Sequence, residues 1–381
     1  MNHQSLSESF PHQECPPAIQ TGSLYFCQFY EIGDEIDLAG ISARLAQPAV
    51  RRKMSVRVRR ADSIQIAEPP IQVELGTLSL RQDTQTLTGR LRASIYDLGA
   101  IALTLEIVLP EPTDWHTIAE LMGILQDSPT ELQAGFLSQI DELEKLLYPL
   151  IKKPNRSAII EDYTIVVVER LVETIDPKTL ASHPLVWAAL LGEKHPLSTE
   201  AAGLLTQMSY YPNDLALLSW NGALLIEPDG DATATALSLL EFANVELLLM
   251  RSYDAELDTE LSGFYSRLPK KRPRFTFPLV NRYSRLLYDL QRLVAEFTEF
   301  TERVDNALKV TDDVYWNRLY TSTLAVLRVD VWRSGVEHKL TLLRETYSML
   351  HDEADTERAI ALEWTIIILI AFEIVMAWVR P

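Results

Sequence analysis

Leu24-Tyr25-Phe26-Cys27-Gln28-Phe29-Tyr30 is the stretch on which the fold is read. It is aromatic and apolar, alternates with period two and holds neither Pro nor Gly, the pattern of a β-strand. Related runs follow at Met54-Ser55-Val56-Arg57-Val58, Val73-Glu74-Leu75, Leu87 to Tyr96 and Ala100 to Leu109. Together they predict a largely antiparallel amino-terminal sheet. Two Pro-flanked helical segments come next, Asp114 to Leu125 and Pro129 to Leu150. The second carries Leu132, Phe136, Ile140, Leu143 and Leu147 on one face.

Lys152-Lys153-Pro154-Asn155 has the composition of a linker. Beyond it, Tyr163-Thr164-Ile165-Val166-Val167-Val168 suits a buried strand. A helix is expected at Leu185 to Leu191, a strand pair within Leu215 to Ile226, and a turn at Glu227-Pro228-Asp229-Gly230. Thr233 to Met250 follows as an amphipathic helix, before the basic loop Pro269-Lys270-Lys271-Arg272-Pro273. Then Leu286, Leu290, Leu293, Phe297, Phe300, Val304 and Ala307 alternate spacings of four and three, the signature of a coiled-coil seam. A second seam runs Tyr320, Leu324, Leu327 and Val331 and shifts phase to Val336, Leu340, Leu343, Tyr347 and Leu350. Thr311-Asp312-Asp313 supplies an N-cap and first-turn acids between them, which favours an antiparallel helical hairpin. A single continuous helix competes with it, because Lys309-Val310-Thr311 contains no breaker.

The last stretch, Ala359 to Val379, is almost wholly apolar. As a helix it would rise about 31 Å, close to the roughly 30 Å of a hydrocarbon core. Ile360, Leu362, Ile366 to Ile370, Phe372, Ile374, Val375 and Val379 together favour insertion by about 3–6 kcal/mol. Glu373 opposes it by about 2.5–3.5 kcal/mol, while Glu363 can sit at the interface. Trp364 and Trp378 are placed as interfacial anchors around Ile367 and Ile370, and Arg380 marks the far edge. With only Arg380-Pro381 beyond it, the segment predicts a tail-anchored protein whose Glu373 faces another helix. The alternative is a buried helix of a soluble bundle.

The 381 residues are 47% apolar and 23% charged, which excludes a disordered or fibrous chain, and the length suits two or three folded units. With 35 basic against 53 acidic residues the net charge is −18, so a polyanion could bind only at a local basic patch. Cys15 and Cys27 are too few for a disulfide framework and fit a reducing compartment. The first 22 residues lack Lys and Arg, unlike a secretory or transit peptide. The expected class is α+β: a leader over 1–22, a β-rich unit with trailing helices over 23–152, a central α/β unit over 160–268, a helical coiled-coil hairpin over 279–358 and a transmembrane helix over 359–379.

Leu239-Leu240-Glu241-Phe242-Ala243-Asn244-Val245-Glu246-Leu247-Leu248 with Arg251-Ser252-Tyr253-Asp254, followed later by Leu362-Glu363-Trp364-Thr365-Ile366-Ile367-Ile368-Leu369-Ile370 and Glu373-Ile374, resembles the Required for Meiotic Nuclear Division family, a domain of unknown function. The resemblance covers roughly Asn221 to Val379 and does not extend to Leu24 to Leu150. It implies a membrane-anchored protein with an α/β domain before a helical hairpin. Mitochondrial relatives are inner-membrane proteins that support translation in the organelle, and bacterial relatives have no established activity. The absence of a transit peptide points to a bacterial member, at the inner membrane with its body in the cytoplasm.

Catalytic signatures are missing: there is no GxGxxG, GxxxxGK[ST], GxSxG or HExxH string. His116, His183, His195, His338 and His351 are scattered, and His183-Pro184 and His195-Pro196 read as helix entrances. Asp229-Gly230-Asp231 reads as a turn rather than a cation site, and Asp34, Glu35 and Asp37 as surface acids. Arg51, Arg52 and Lys53 with Arg57, Arg59 and Arg60 form a basic strand region that could hold RNA phosphate or anionic lipid, or simply guard a sheet edge. Lys270, Lys271, Arg272 and Arg274 form a second basic cluster. The expectation is therefore a non-enzymatic scaffold without metal or cofactor, whose partners are membrane lipid, a second copy through the hairpin and a recruited protein. An RNA- or ribosome-binding module using residues 51–60 is the rival.

Overall fold

The computed structural model describes residues 15–44, 50–51, 64–66, 68–82, 85–127, 130–193, 197–267, 284–310 and 314–379. In chain order the strands are β1 Ile19–Glu31, β2 Glu35–Ile36, β3 Val50–Arg51, β4 Ile64–Ile66, β5 Ile71–Gln82, β6 Gln85–Ile95, β7 Ala100–Val108, β8 Ile151–Lys152, β9 Ile160–Leu171, β10 Thr206–Met208, β11 Leu215–Leu218, β12 Gly222–Ile226 and β13 Leu308–Val310. The helices are α1 Leu38–Arg44, α2 Trp115–Gln126, α3 Thr130–Leu147, α4 Pro177–Ala181, α5 Pro184–Leu191, α6 Gly230–Arg267, α7 Ser284–Ala307, α8 Val314–Val326 and α9 Val329–Val379. The class is mixed α+β, with an amino-terminal sheet and a helical carboxy-terminal region.

The chain forms two compact units, Met1–Ser252 with Val304–Asp330, and Tyr253–Arg303 with Val331–Pro381. The first is built on a nine-stranded sheet of order β10-β11-β12-β9-β1-β7-β6-β5-β3. All its pairings are antiparallel except β9 with β12. The strands on either side of Lys152-Asn155 thus join one sheet, and the division between 23–152 and 160–268 expected from the linker disappears. Lys152 and Lys153 are tied down: β8 pairs with β2, Lys152 reaches Glu35 at 3.2 Å and Lys153 reaches Asp34 at 3.0 Å. The surface acids of that loop are the counterions of the expected linker.

The Leu24–Tyr30 stretch lies in β1, near the middle of the sheet, and is buried throughout. Leu24 pairs with Ile107 and Val166, and Phe26 with Leu105, on one face. The helices α2 and α3 cover that face, and Phe26 meets Phe136 edge-on at 5.8 Å. Tyr25, Cys27 and Phe29 point the other way, beside Glu106, Thr104 and Ala102. The helix α6 covers this second face. It is buried without interruption from Leu239 to Met250, so it lacks the amphipathic character expected of Thr233 to Met250. Gly99 turns β6 into β7 with φ +82°, and an added Cβ there would meet the Gly33 carbonyl, so only glycine suits the position.

In the second unit Leu257 and Leu261 of α6, Leu290 and Phe297 of α7, and Val336, Leu340, Leu343 and Leu350 of α9 are buried at helical spacing. Tyr253 meets Phe297 edge-on at 5.3 Å, Arg344 donates to Thr298 at 3.1 Å, and Lys339 pairs with Asp254 at 2.8 Å and Asp258 at 2.6 Å.

The continuous-helix reading fails. The strand β13 follows α7 directly and pairs with β4, so the backbone leaves the helical ladder there. The second seam also starts out of phase: Trp316, Leu319, Thr323 and Leu327 are the buried stripe of α8 and its end, while Val331 is 65% exposed. Arg328, whose φ of 54° breaks the helix, resets the phase before α9 and so turns Val331 outward.

Candidate functional site

The sequence-selected residues fall in different places. Among the described residues the strand β3, which carries Arg51, is the outermost on its side of the large sheet. Arg52, Arg57 and Arg59 lie outside the described residues, as do Lys270, Lys271, Arg272 and Arg274. On the first seam Leu290, Phe297 and Val304 are buried and Leu293 is half-buried, whereas the side chains of Leu286 and Phe300 lie outside the description. Leu290 and Phe297 are covered within the chain, at 1% and 3% exposure.

The terminal segment is the opposite case. The helix α9 continues to Val379, but its buried stripe stops at Leu350. From Leu362 to Met376 every residue is exposed, including Trp364, Ile367, Ile370 and Glu373. Successive residues of a helix are rotated by about 100°, so Ile366 to Ile370 present apolar surface around the full circumference. The Trp378 side chain lies outside the description. Among the described residues one helix, Gly230–Phe264, is long and apolar enough to cross a membrane, and 83% of its most apolar stretch is buried inside the protein.

That buried helix holds a polar layer which periodicity alone does not reveal. Glu241, on α6, accepts from the Tyr96 hydroxyl at 2.6 Å. The Thr104 hydroxyl lies 3.4 Å from the same carboxylate and 3.5 Å from Cys27 Sγ, so its single proton serves one acceptor at a time. Arg92, beside them on β6, stacks over the Tyr25 ring at 5.7 Å. Burial works against its charge, and Glu241, first among its neighbours, holds it. Burial and then the Glu241 charge push the Tyr96 phenol well above its ordinary range, so it stays a neutral donor. Further along α6, Glu246 accepts from the Tyr320 hydroxyl at 2.5 Å, Ser252 meets Ser157 at 2.9 Å, and Arg251 pairs with Glu161. The sequence signal was present in the acids and Asn244 inside an otherwise apolar helix, but the partners of Glu241 lie on and beside β6 and β7 and that of Glu246 on α8, far away in the chain, while Asn244 donates to the Leu240 carbonyl of its own helix.

Around Tyr96, Cys27 and Thr104 this layer is closed to solvent. Burial, followed by Glu241, pushes the Cys27 thiol up to about 12, which removes the thiolate a nucleophile needs. Alkylation of the folded protein at about pH 8 should modify exposed Cys15 and spare Cys27, as read by peptide mass mapping. Label on Cys27 before unfolding would contradict the closed layer. Among the described residues no group of His, Cys, Asp and Glu could hold a metal. His183 instead caps α5, its Nδ1 accepting from Leu185 N at 3.1 Å. Asp229 caps α6 by accepting from Asp231 N at 3.0 Å, so Asp229-Gly230-Asp231 is a helix-entry turn. His195 lies outside the described residues.

The family described as "Uncharacterized protein MJ0711, N-terminal domain" matches residues 21–233, which span the sheet from β1 to β12. Uncharacterized protein MJ0711 of Methanocaldococcus jannaschii is 25% identical over 317 residues, 77% of this chain and 95% of that protein. No solved structure matches the chain. Neither comparison links the chain to the Required for Meiotic Nuclear Division family. A match over more than half of the residues, carrying the sheet and its first covering helices, makes this chain a member of the MJ0711 N-terminal-domain family, a family of uncharacterized proteins.

Proposed function

We propose that the protein is a membrane-anchored, non-enzymatic scaffold or recruiting factor, held in lipid by the terminal part of α9. One observation carries this reading: the run from Leu362 to Met376, apolar except for Glu363, Thr365 and Glu373, is exposed on every face. A helix that packs on protein hides one stripe, as Val336 to Leu350 do on the same helix; a helix that hides none suits hydrocarbon. The resemblance of Asn221 to Val379 to a membrane-anchored family points the same way. The acidic bulk of the chain, at −18, then stays on the aqueous side, and the cytoplasmic side fits the free cysteines.

Glu373 adds a partner. An acid at the middle of a spanning helix costs about 2.5–3.5 kcal/mol, and contact with another helix relieves it. Because Leu290 and Phe297 are spent within the chain, the contact with a second copy moves from the hairpin seam to the terminal helices. Full-length protein should pellet with carbonate-washed membranes, and Glu373→Leu should lower the mass of the complex in detergent without releasing it from the membrane. Full-length protein found wholly in the soluble fraction would overturn the anchor. An unchanged mass for Glu373→Leu would overturn the pairing.

A further inference from the structure

In the first unit, away from the buried layer, an open groove of about 950 Å³ lies between the loop after β9, the loop before β11 and α8. Two cations on different elements line it, Lys178 of α4 and Arg318 of α8. Both are exposed, and among the described residues neither side chain meets an acid at ion-pair distance. The groove has one acid, Asp176, and its carboxylate is engaged by the Lys178 backbone N–H at 2.9 Å. The lining thus carries two cations against one acid, a local positive excess on a chain of net charge −18.

Tyrosines flank these cations. Tyr210 and Tyr211 are 60% and 62% exposed, with ring centroids 4.9 Å apart, and Tyr210 lies 5.6 Å from Tyr315. Tyr315 in turn meets Trp316, which is buried. The loop that carries the tyrosines is fixed from inside: buried Asp214 accepts from Tyr210 N at 2.7 Å, and Ser209 donates to the Tyr211 carbonyl at 3.0 Å. Rigid exposed rings beside a polar groove therefore have a base in the core, and local order keeps them where a planar group could stack.

We propose that this groove binds a phosphorylated small molecule with a planar ring, of the nucleotide class, its phosphates held by Lys178 and Arg318 and its ring stacked on Tyr211. Guanidinium and ammonium groups supply charge-assisted hydrogen bonds to phosphate oxygens, and tyrosine faces accept any nucleobase. The volume suits one small ligand, since small-molecule sites measure about 300–1,000 Å³. The chain's overall negative field disfavours a long polyanion at the same place, which separates this site from an RNA groove.

Calorimetric titration of the full chain in detergent with ADP, pyrophosphate, adenosine and polyuridylate tests it. ADP should bind at one site per chain, with pyrophosphate and adenosine each weaker by about tenfold or more, since each lacks half of the recognised group. Arg318→Gln and Lys178→Gln should each weaken ADP by about tenfold, and Tyr211→Ala by a similar factor, with the ligand-free melting temperature unchanged. ADP that gives no heat at millimolar concentration, ADP affinity unmoved by both charge variants, or polyuridylate that binds more tightly than ADP would each overturn the proposal.

Discussion

Ile367→Lys combined with Ile370→Lys should move the protein from carbonate-washed membranes into the soluble fraction. Both residues are more than half exposed near the middle of the terminal apolar run. Each exchange replaces a residue that favours insertion by about 0.3–0.6 kcal/mol with one that opposes it by about 2.5–3.5 kcal/mol. Two exchanges thus shift the balance by about 6–8 kcal/mol, more than the whole segment supplies. Val331→Lys is the control, because Val331 is 65% exposed on the same helix but lies outside the run. It should leave the protein in the membrane. A double lysine variant that still pellets like the parent would mean that something other than lipid covers these residues.

The second large effect concerns folding. Glu241→Ala should destabilise the sheet unit by about 3 kcal/mol, lowering its unfolding midpoint by roughly 6 °C or more. The substitution leaves the Tyr96 hydroxyl without its acceptor in a site closed to water, and it removes the neighbouring charge that holds half-buried Arg92. Glu241→Gln keeps the shape and an acceptor for Tyr96 but drops the charge, so it should fall between parent and Ala variant. Circular dichroism melts of the three proteins check this order. Equal stability of all three would show that the polar layer contributes nothing to holding α6 on the sheet.

Local pattern was enough for much of the fold. The strands containing Leu24 to Tyr30, Leu87 to Tyr96, Ala100 to Leu109 and Tyr163 to Val168 were legible because alternation and β-branching are properties of a single segment. The helix from Thr130 to Leu147 was legible for the same reason, and its five apolar positions are all buried. What local pattern does not contain is the identity of a distant partner. Leu24 pairs with Ile107 on one side and Val166 on the other, which is why two apparent units proved to be one sheet. The helix α6 looked amphipathic because Glu241, Asn244 and Glu246 are polar; each is buried, and Glu241 and Glu246 meet tyrosine hydroxyls from separate elements. The phase slip at Arg328 was equally hidden, since a left-handed backbone at an arginine has no sequence signal of its own.

The site residues divide along the same line. Trp364, Ile367, Ile370 and Glu373 were visible as a run because an apolar segment announces itself by composition. Lys178 and Arg318 were not, because they lie on elements far apart in the chain and line one groove only in the folded protein. Gly99 sits between these cases: a glycine at a turn is an ordinary expectation, but its close approach to the Gly33 carbonyl is known only from the folded backbone.

The most direct measurement of the central claim is a nitroxide scan from Ile366 to Phe372 in lipid nanodiscs, in a Cys15→Ser background that leaves only the buried Cys27. At each position, collision with oxygen is compared with collision with a water-soluble nickel complex. Insertion predicts high oxygen and low nickel accessibility at every position, whichever way the side chain points. High nickel accessibility throughout, or oxygen accessibility that falls and rises every 3.6 residues as on a helix packed against protein, would contradict it.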